Sequence, residues 1–123
     1  MKKLLVICIA LVSMLCQNNL FSQKTFTAED LYTLKRVSEI AVSPDGNWIV
    51  YVLGIPSLQD NKIYNDLYAV SIDGKQTIRL TNDNAADFNP VFSPAGMLLA
   101  YISTKDGSPQ VWVMDFPKGT PKR

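Results

Sequence analysis

The segment from Val42 to Val52, VSPDGNWIVYV, returns fifty residues later as FSPAGMLLAYI, from Phe92 to Ile102. Ser43/Ser93, Pro44/Pro94, Gly46/Gly96 and Tyr51/Tyr101 are identical at that offset. A chain that restates itself at a fixed spacing builds one local unit twice, so the architecture is a repeat. Each copy opens on a tight turn: proline presets φ at the first corner, and glycine accepts the left-handed conformation that closes it. An apolar, β-branched and aromatic run follows each turn, as a strand requires.

The first copy reads as four antiparallel strands. They are the segment before Ser43, Asn47 to Leu53, Asp66 to Ile72, and Thr77 to Thr81, with Asp73-Gly74 as a hairpin signal. The second copy keeps that order. Phe88 to Phe92 leads into the turn, then come Met97 to Ser103 and, after the Asp106-Gly107 turn, Gln110 to Phe116. Lys118-Gly119 takes the hairpin position, and Thr120 to Arg123 begins a fourth strand. Asp66 to Ile72 aligns with Gln110 to Phe116 at an offset of 44, so the first copy carries extra residues in a polar middle loop, Gly54 to Asn65.

Four strands in a period of about 40 to 50 residues define propeller blades. Strands such as WIVYV and VWVMDF are apolar on both faces, which suits sheets stacked between neighbouring sheets. A single sandwich sheet would alternate more cleanly. The expected fold is all-β: the first two four-stranded blades of a β-propeller, preceded by a signal peptide and a short helix, in an incomplete ring. Closure takes roughly four to eight blades. The second copy stops where the first reads Arg79-Leu80-Thr81, which implies an N-terminal piece of a longer protein.

Met1-Lys2-Lys3 followed by the apolar run Leu4 to Leu15 and the small Ser22 has the layout of a secretory signal peptide. The run is shorter than the roughly 20 residues of a membrane-spanning helix. Cleavage is expected near Ser22–Gln23; a retained anchor is the alternative, and a lipid-modified Cys16 is disfavoured by bulky Leu15 before it. Both cysteines, Cys8 and Cys16, lie in this removable segment, so the mature chain would hold no disulfide. Loss of Lys2 and Lys3 leaves ten basic against eleven acidic residues, a balance that gives no reason to expect nucleic acid, or membrane after signal cleavage, as a partner. The expected division is 1–22 signal peptide, 23–36 lead-in, 37–81 first blade and 82–123 second blade, truncated in its last strand. In the lead-in, Thr27 is a plausible N-cap for a short helix from about Ala28 to Lys35, with Glu29 and Asp30 in its first turn.

Candidate sites are few. Asp45 sits in an exposed turn, but its counterpart is Ala95, so the turn does not require the carboxylate. Asn82 to Asp87, NDNAAD, is rich in oxygen donors yet lacks the calcium-loop pattern, and it reads as a solvated connection between blades. Trp48, Tyr51, Tyr68, Tyr101 and Trp112 could form a ligand platform, but aromatic residues in stacked strands read better as packing between blades. In a meander, the Gly54–Asn65 loop and the Asn82–Asp87 connection emerge at the same rim, as a binding feature or as a plain surface insertion. No catalytic, cofactor-binding or metal-ligating residue is assigned, and no cofactor is expected.

The signature SPDG-x-x-(I/L)-x-Y, followed by DLY-x-V-x-IDG and RLT, resembles the propeller repeats of two exported bacterial groups. One is the prolyl oligopeptidase family of serine peptidases, in its acylaminoacyl-peptidase and dipeptidyl-peptidase-like members. The other is the Tol-system periplasmic propeller and its relatives, non-catalytic modules binding protein or glycan. TAEDLYTLKRVSEIAVSPDGNWIVYV, where a short helix leads directly into a blade, resembles the peptidase group, as does GIPSLQDNKIYNDLY. That resemblance implies a Ser-Asp-His triad on an α/β-hydrolase domain after the propeller, and peptide substrates reached through the full-length protein. It also implies downstream blades and the hydrolase domain as partners. None of the catalytic parts maps onto this chain, which has no histidine and no G-x-S-x-G elbow.

Overall fold

The computed structural model describes residues 25–123. The signal peptide, its cleavage point, and Cys8 and Cys16 lie outside the described residues. Helix α1, Ala28–Thr33, is closed at its start by a capping box. The Thr27 N–H donates to Asp30 Oδ2 at 2.9 Å, and the Asp30 N–H donates back to Thr27 Oγ1 at 3.3 Å. The helix ends two residues before the expected Lys35, because Leu34 is already extended and Arg36 pairs with Gly54.

Seven strands follow: β1 (Arg36–Val42), β2 (Trp48–Ser57), β3 (Lys62–Ser71), β4 (Thr77–Arg79), β5 (Asp87–Phe92), β6 (Leu98–Ser103) and β7 (Gln110–Asp115). They form two antiparallel meanders, β1-β2-β3-β4 and β5-β6-β7, each paired in sequence order. In the second sheet the fourth position is begun by a bridge between Val113 and Lys122, each donating its N–H to the other's carbonyl at 2.8 Å. The two sheets are the blades that the repeat implies. Together they leave the ring open.

The turns at Ser43 and Ser93 share their backbone geometry. Gly46 and Gly96 sit at φ 70° and 72°, where side-chain-bearing residues are strained, and each donates its N–H to the serine carbonyl of its own turn.

One expectation fails. Gly54 to Asn65 is not a loop: β2 and β3 continue through it, pairing Gly54 with Asn65, Ile55 with Tyr64, Pro56 with Ile63 and Ser57 with Lys62. Only Leu58 to Asn61 turns, with Asn61 in the left-handed region at φ 49°. The extra residues of the first copy therefore lengthen a hairpin, whose ladder satisfies backbone groups that a loop would leave to water.

The core lies between the sheets. Val50, Val52, Leu67 and Ala69 of the first blade meet Leu99, Tyr101 and Met114 of the second, all at most 4% exposed. Trp48, Phe92 and Phe116 extend the contact, with Phe116 edge-on to both other rings at 5.8 and 4.9 Å. Val37, Ile40 and Val42 on β1, and Val91, Leu98 and Val111 on the second blade, are instead 42–68% exposed.

Candidate functional site

Two places on this scaffold gather side chains that could serve a function. The first is the seam between blades at the hairpin rim. A parallel bridge joins Asn65 to Ala86, so the hairpin and the Asn82–Asp87 connection are neighbours, as the meander geometry requires. Beneath the bridge lie Asp66, Thr81, Asp87 and Ser103, all buried. Arg79 donates to Asp66 Oδ2 at 2.7 Å and lies over the Tyr68 ring, 5.9 Å from its centroid. Thr81 Oγ1 accepts the Leu67 N–H at 2.9 Å.

Asp87 is fully enclosed, and burial raises its carboxyl above the ordinary carboxylate range. Ser103 and Thr81 pull it back, whereas the charges of Asp83 and Asp66 push it further up. Those hydroxyls give only partial relief, since neither Asp87 oxygen meets full hydrogen-bond geometry. Burial also raises Tyr101, with Asp87 the next influence.

Asp83 is not poised for a cation. It accepts the Ala85 N–H at 3.1 Å and pairs with Lys105 at 3.4 Å. Among the described residues no group of three His, Cys, Asp or Glu could hold a metal ion.

The second place is a groove between α1 and the hairpin. Its volume is about 270 Å³, and Leu31, Tyr32, Pro56, Leu58 and Ile63 supply its apolar walls. Arg36 and Lys62 stand at its edge. The hairpin tip that shapes it is fixed by Asp60, which accepts from Ser57 Oγ at 2.7 Å and from the Tyr64 hydroxyl at 3.0 Å. The Ser57 bond is the main cause of a lowered Asp60 carboxyl, followed by that of Tyr64. Gly54 lets the strands approach below the tip: a Cβ there would sit 3.1 Å from Asn65 Oδ1 and 3.2 Å from an Ile63 methyl.

The remaining sequence candidates fall elsewhere. Asp45 is local to its turn, accepting from Ser43 Oγ at 2.5 Å and from Asn47, and these bonds lower its carboxyl. The five aromatic residues expected to pack between blades divide. Tyr101 belongs to the core between blades and Trp48 and Trp112 pack against it, whereas Tyr51 and Tyr68 stack at 5.9 Å as a cross-strand pair, Tyr51–Tyr68, on the opposite face of β2 and β3. Sequence reasoning passed over Arg36, Lys62 and Asp66, and it read Asp87 into a solvated connection, whereas Asp87 begins β5 and is buried. Ile55 and Ile63 flanking the Asp60-Asn61 turn signal were the available sign that strands continued there.

Two adjoining antiparallel meanders with a shared core define a β-propeller portion, and solved structures agree. Acylaminoacyl peptidase from Pyrococcus horikoshii superposes with a TM-score of 0.61 at 22% identity, over 75% of this chain and 14% of that one. No family model matches the chain. Dipeptidyl-peptidase 5 of Porphyromonas gingivalis is 37% identical over 85 residues, 69% of this chain and 12% of the relative. A TolB homolog of Chlorobium luteolum is 37% identical over 54 residues, 44% of this chain and 12% of that protein. The chain is a propeller portion of the prolyl oligopeptidase family of peptidases. It spans about an eighth of the length of the peptidase relative. Among the described residues no helix is long and apolar enough to cross a membrane.

Proposed function

We propose that this chain is the N-terminal propeller portion of an exported serine peptidase. Residues 1–22 would direct export to the periplasm or beyond, 23–36 would lead in, and 37–81 and 82–123 would form successive blades. Peptide hydrolysis would reside in an α/β-hydrolase domain elsewhere in the protein, carrying its own Ser-Asp-His set. The blades would help cover that domain and admit substrates by size, so that peptides enter and folded proteins do not. The observation that carries this reading is the 37% identity to a dipeptidyl-peptidase across most of the chain. The likeness to a TolB homolog, over 44% of the chain, supports a binding propeller less well.

The test is made on the intact protein isolated from the cell exterior. A fluorophosphonate probe should label one serine and abolish release of chromophore from dipeptidyl substrates. An intact protein that neither labels nor hydrolyses would favour the non-catalytic propeller.

A further inference from the structure

The groove between α1 and the β2–β3 hairpin combines apolar walls with two cations, Arg36 and Lys62. Neither Arg36 nor Lys62 belongs to any ion pair among the described residues. The nearest carboxylate along the hairpin, Asp60, is already engaged by Ser57 and Tyr64, and Lys62 is the weakest influence on it. Leu31, Tyr32, Leu58 and Ile63 are 48–65% exposed around the same cleft. An apolar hollow edged by a few converging polar groups is the ordinary form of a ligand site, and this one lies just below the usual range of about 300 to 1,000 Å³.

We propose that this groove binds the free C-terminal end of a peptide whose last residue is apolar. The apolar side chain would shed water against Leu31, Tyr32, Leu58 and Ile63. The terminal carboxylate would accept charge-assisted hydrogen bonds from the Arg36 guanidinium, whose forked donors match a carboxylate, with Lys62 as a second positive charge. The cleft has room for one or two side chains, so recognition is of a terminus and not of a long segment. The proposal does not depend on the peptidase reading, since it concerns binding alone.

The experiment measures fluorescence anisotropy of dansyl-Gly-Leu-Leu and of its C-terminal amide with the intact protein. A serine-directed fluorophosphonate is present, so that hydrolysis cannot intervene whether or not the protein is a peptidase. The acid should bind roughly ten-fold tighter than the amide, the factor expected of one charge-assisted hydrogen bond. Arg36→Gln combined with Lys62→Gln should bring the two within about three-fold, while Leu58→Ser should weaken both. All three positions are exposed, so folding is not at stake. Equal binding of acid and amide, binding of neither, or a preference that survives the double substitution would each overturn the proposal.

Discussion

The carboxylate of Glu39 accepts the backbone N–H of Asn89 at 2.6 Å, and both residues hold a left-handed backbone, at φ 45° and 53°. They stand fifty positions apart, so the repeat extends to a backbone irregularity. Each interrupts the register of its strand, between Ser38 and Ile40 in β1 and between Phe88 and Val91 in β5. Each blade thus kinks its first strand at the same point, and the carboxylate of the first secures the kink of the second. Glu39→Ala should destabilise the intact protein by about 1 to 2 kcal/mol, since the bond is lost while the strained φ remains. Glu39→Gly loses the same bond but relieves the strain, so it should be the milder change by about 1 kcal/mol. Paired urea denaturation curves check the order.

Asp87 should make the blade seam sensitive to pH. Its carboxyl is raised in the folded chain, mainly by burial, so the folded state holds its proton more tightly than the unfolded state. The stabilisation is full below the ordinary carboxylate value of 3.8 and is lost as pH rises through the higher folded value. Asp87→Asn should therefore raise stability at neutral pH and flatten its dependence on pH across that window. Thermal unfolding of both proteins from about pH 4 to 8 measures this.

The two equivalent turns should respond unequally to loss of their serine. Ser43 Oγ donates to Asp45 and accepts the Trp48 N–H at 2.9 Å, and the residue is buried. Ser93 Oγ accepts the Leu98 N–H at 3.1 Å, with Ala95 where Asp45 would be. Ser43→Ala should cost about 1 to 3 kcal/mol and Ser93→Ala about half as much, read from denaturation midpoints.

Much of this fold was legible in the sequence because turns and strands are written locally. Ser-Pro-x-Gly and the apolar runs placed both turns and β4 to β7 within two residues, β1 in outline, and β2 and β3 each four residues short at the hairpin end. The long hairpin was misread because Pro56, Ser57, Asp60 and Asn61 carry turn chemistry, although only Leu58 to Asn61 bend. The kink at Glu39 left no trace, since glutamate has no preference for a left-handed backbone and only its partner fifty residues away explains it. Asp66 and Asp87 look like exposed strand-end carboxylates until a neighbouring sheet covers them. The groove depends on where α1 lies against a distant hairpin, which periodicity does not encode.

These sheets are blades, units that bury their faces against neighbours. Val37, Ile40, Val42, Val91, Leu98 and Val111 are exposed in the chain by itself, and repeat arrays need about three units for stability. Residues 23–123 produced alone should therefore associate or unfold without a sharp transition, whereas the same segment within the intact protein should be well ordered. Sedimentation combined with urea unfolding followed by circular dichroism decides it most directly. Oligomers or a broad, shallow transition are expected for 23–123. A monomer that unfolds in one cooperative step, with a stability of about 5–15 kcal/mol, would contradict this.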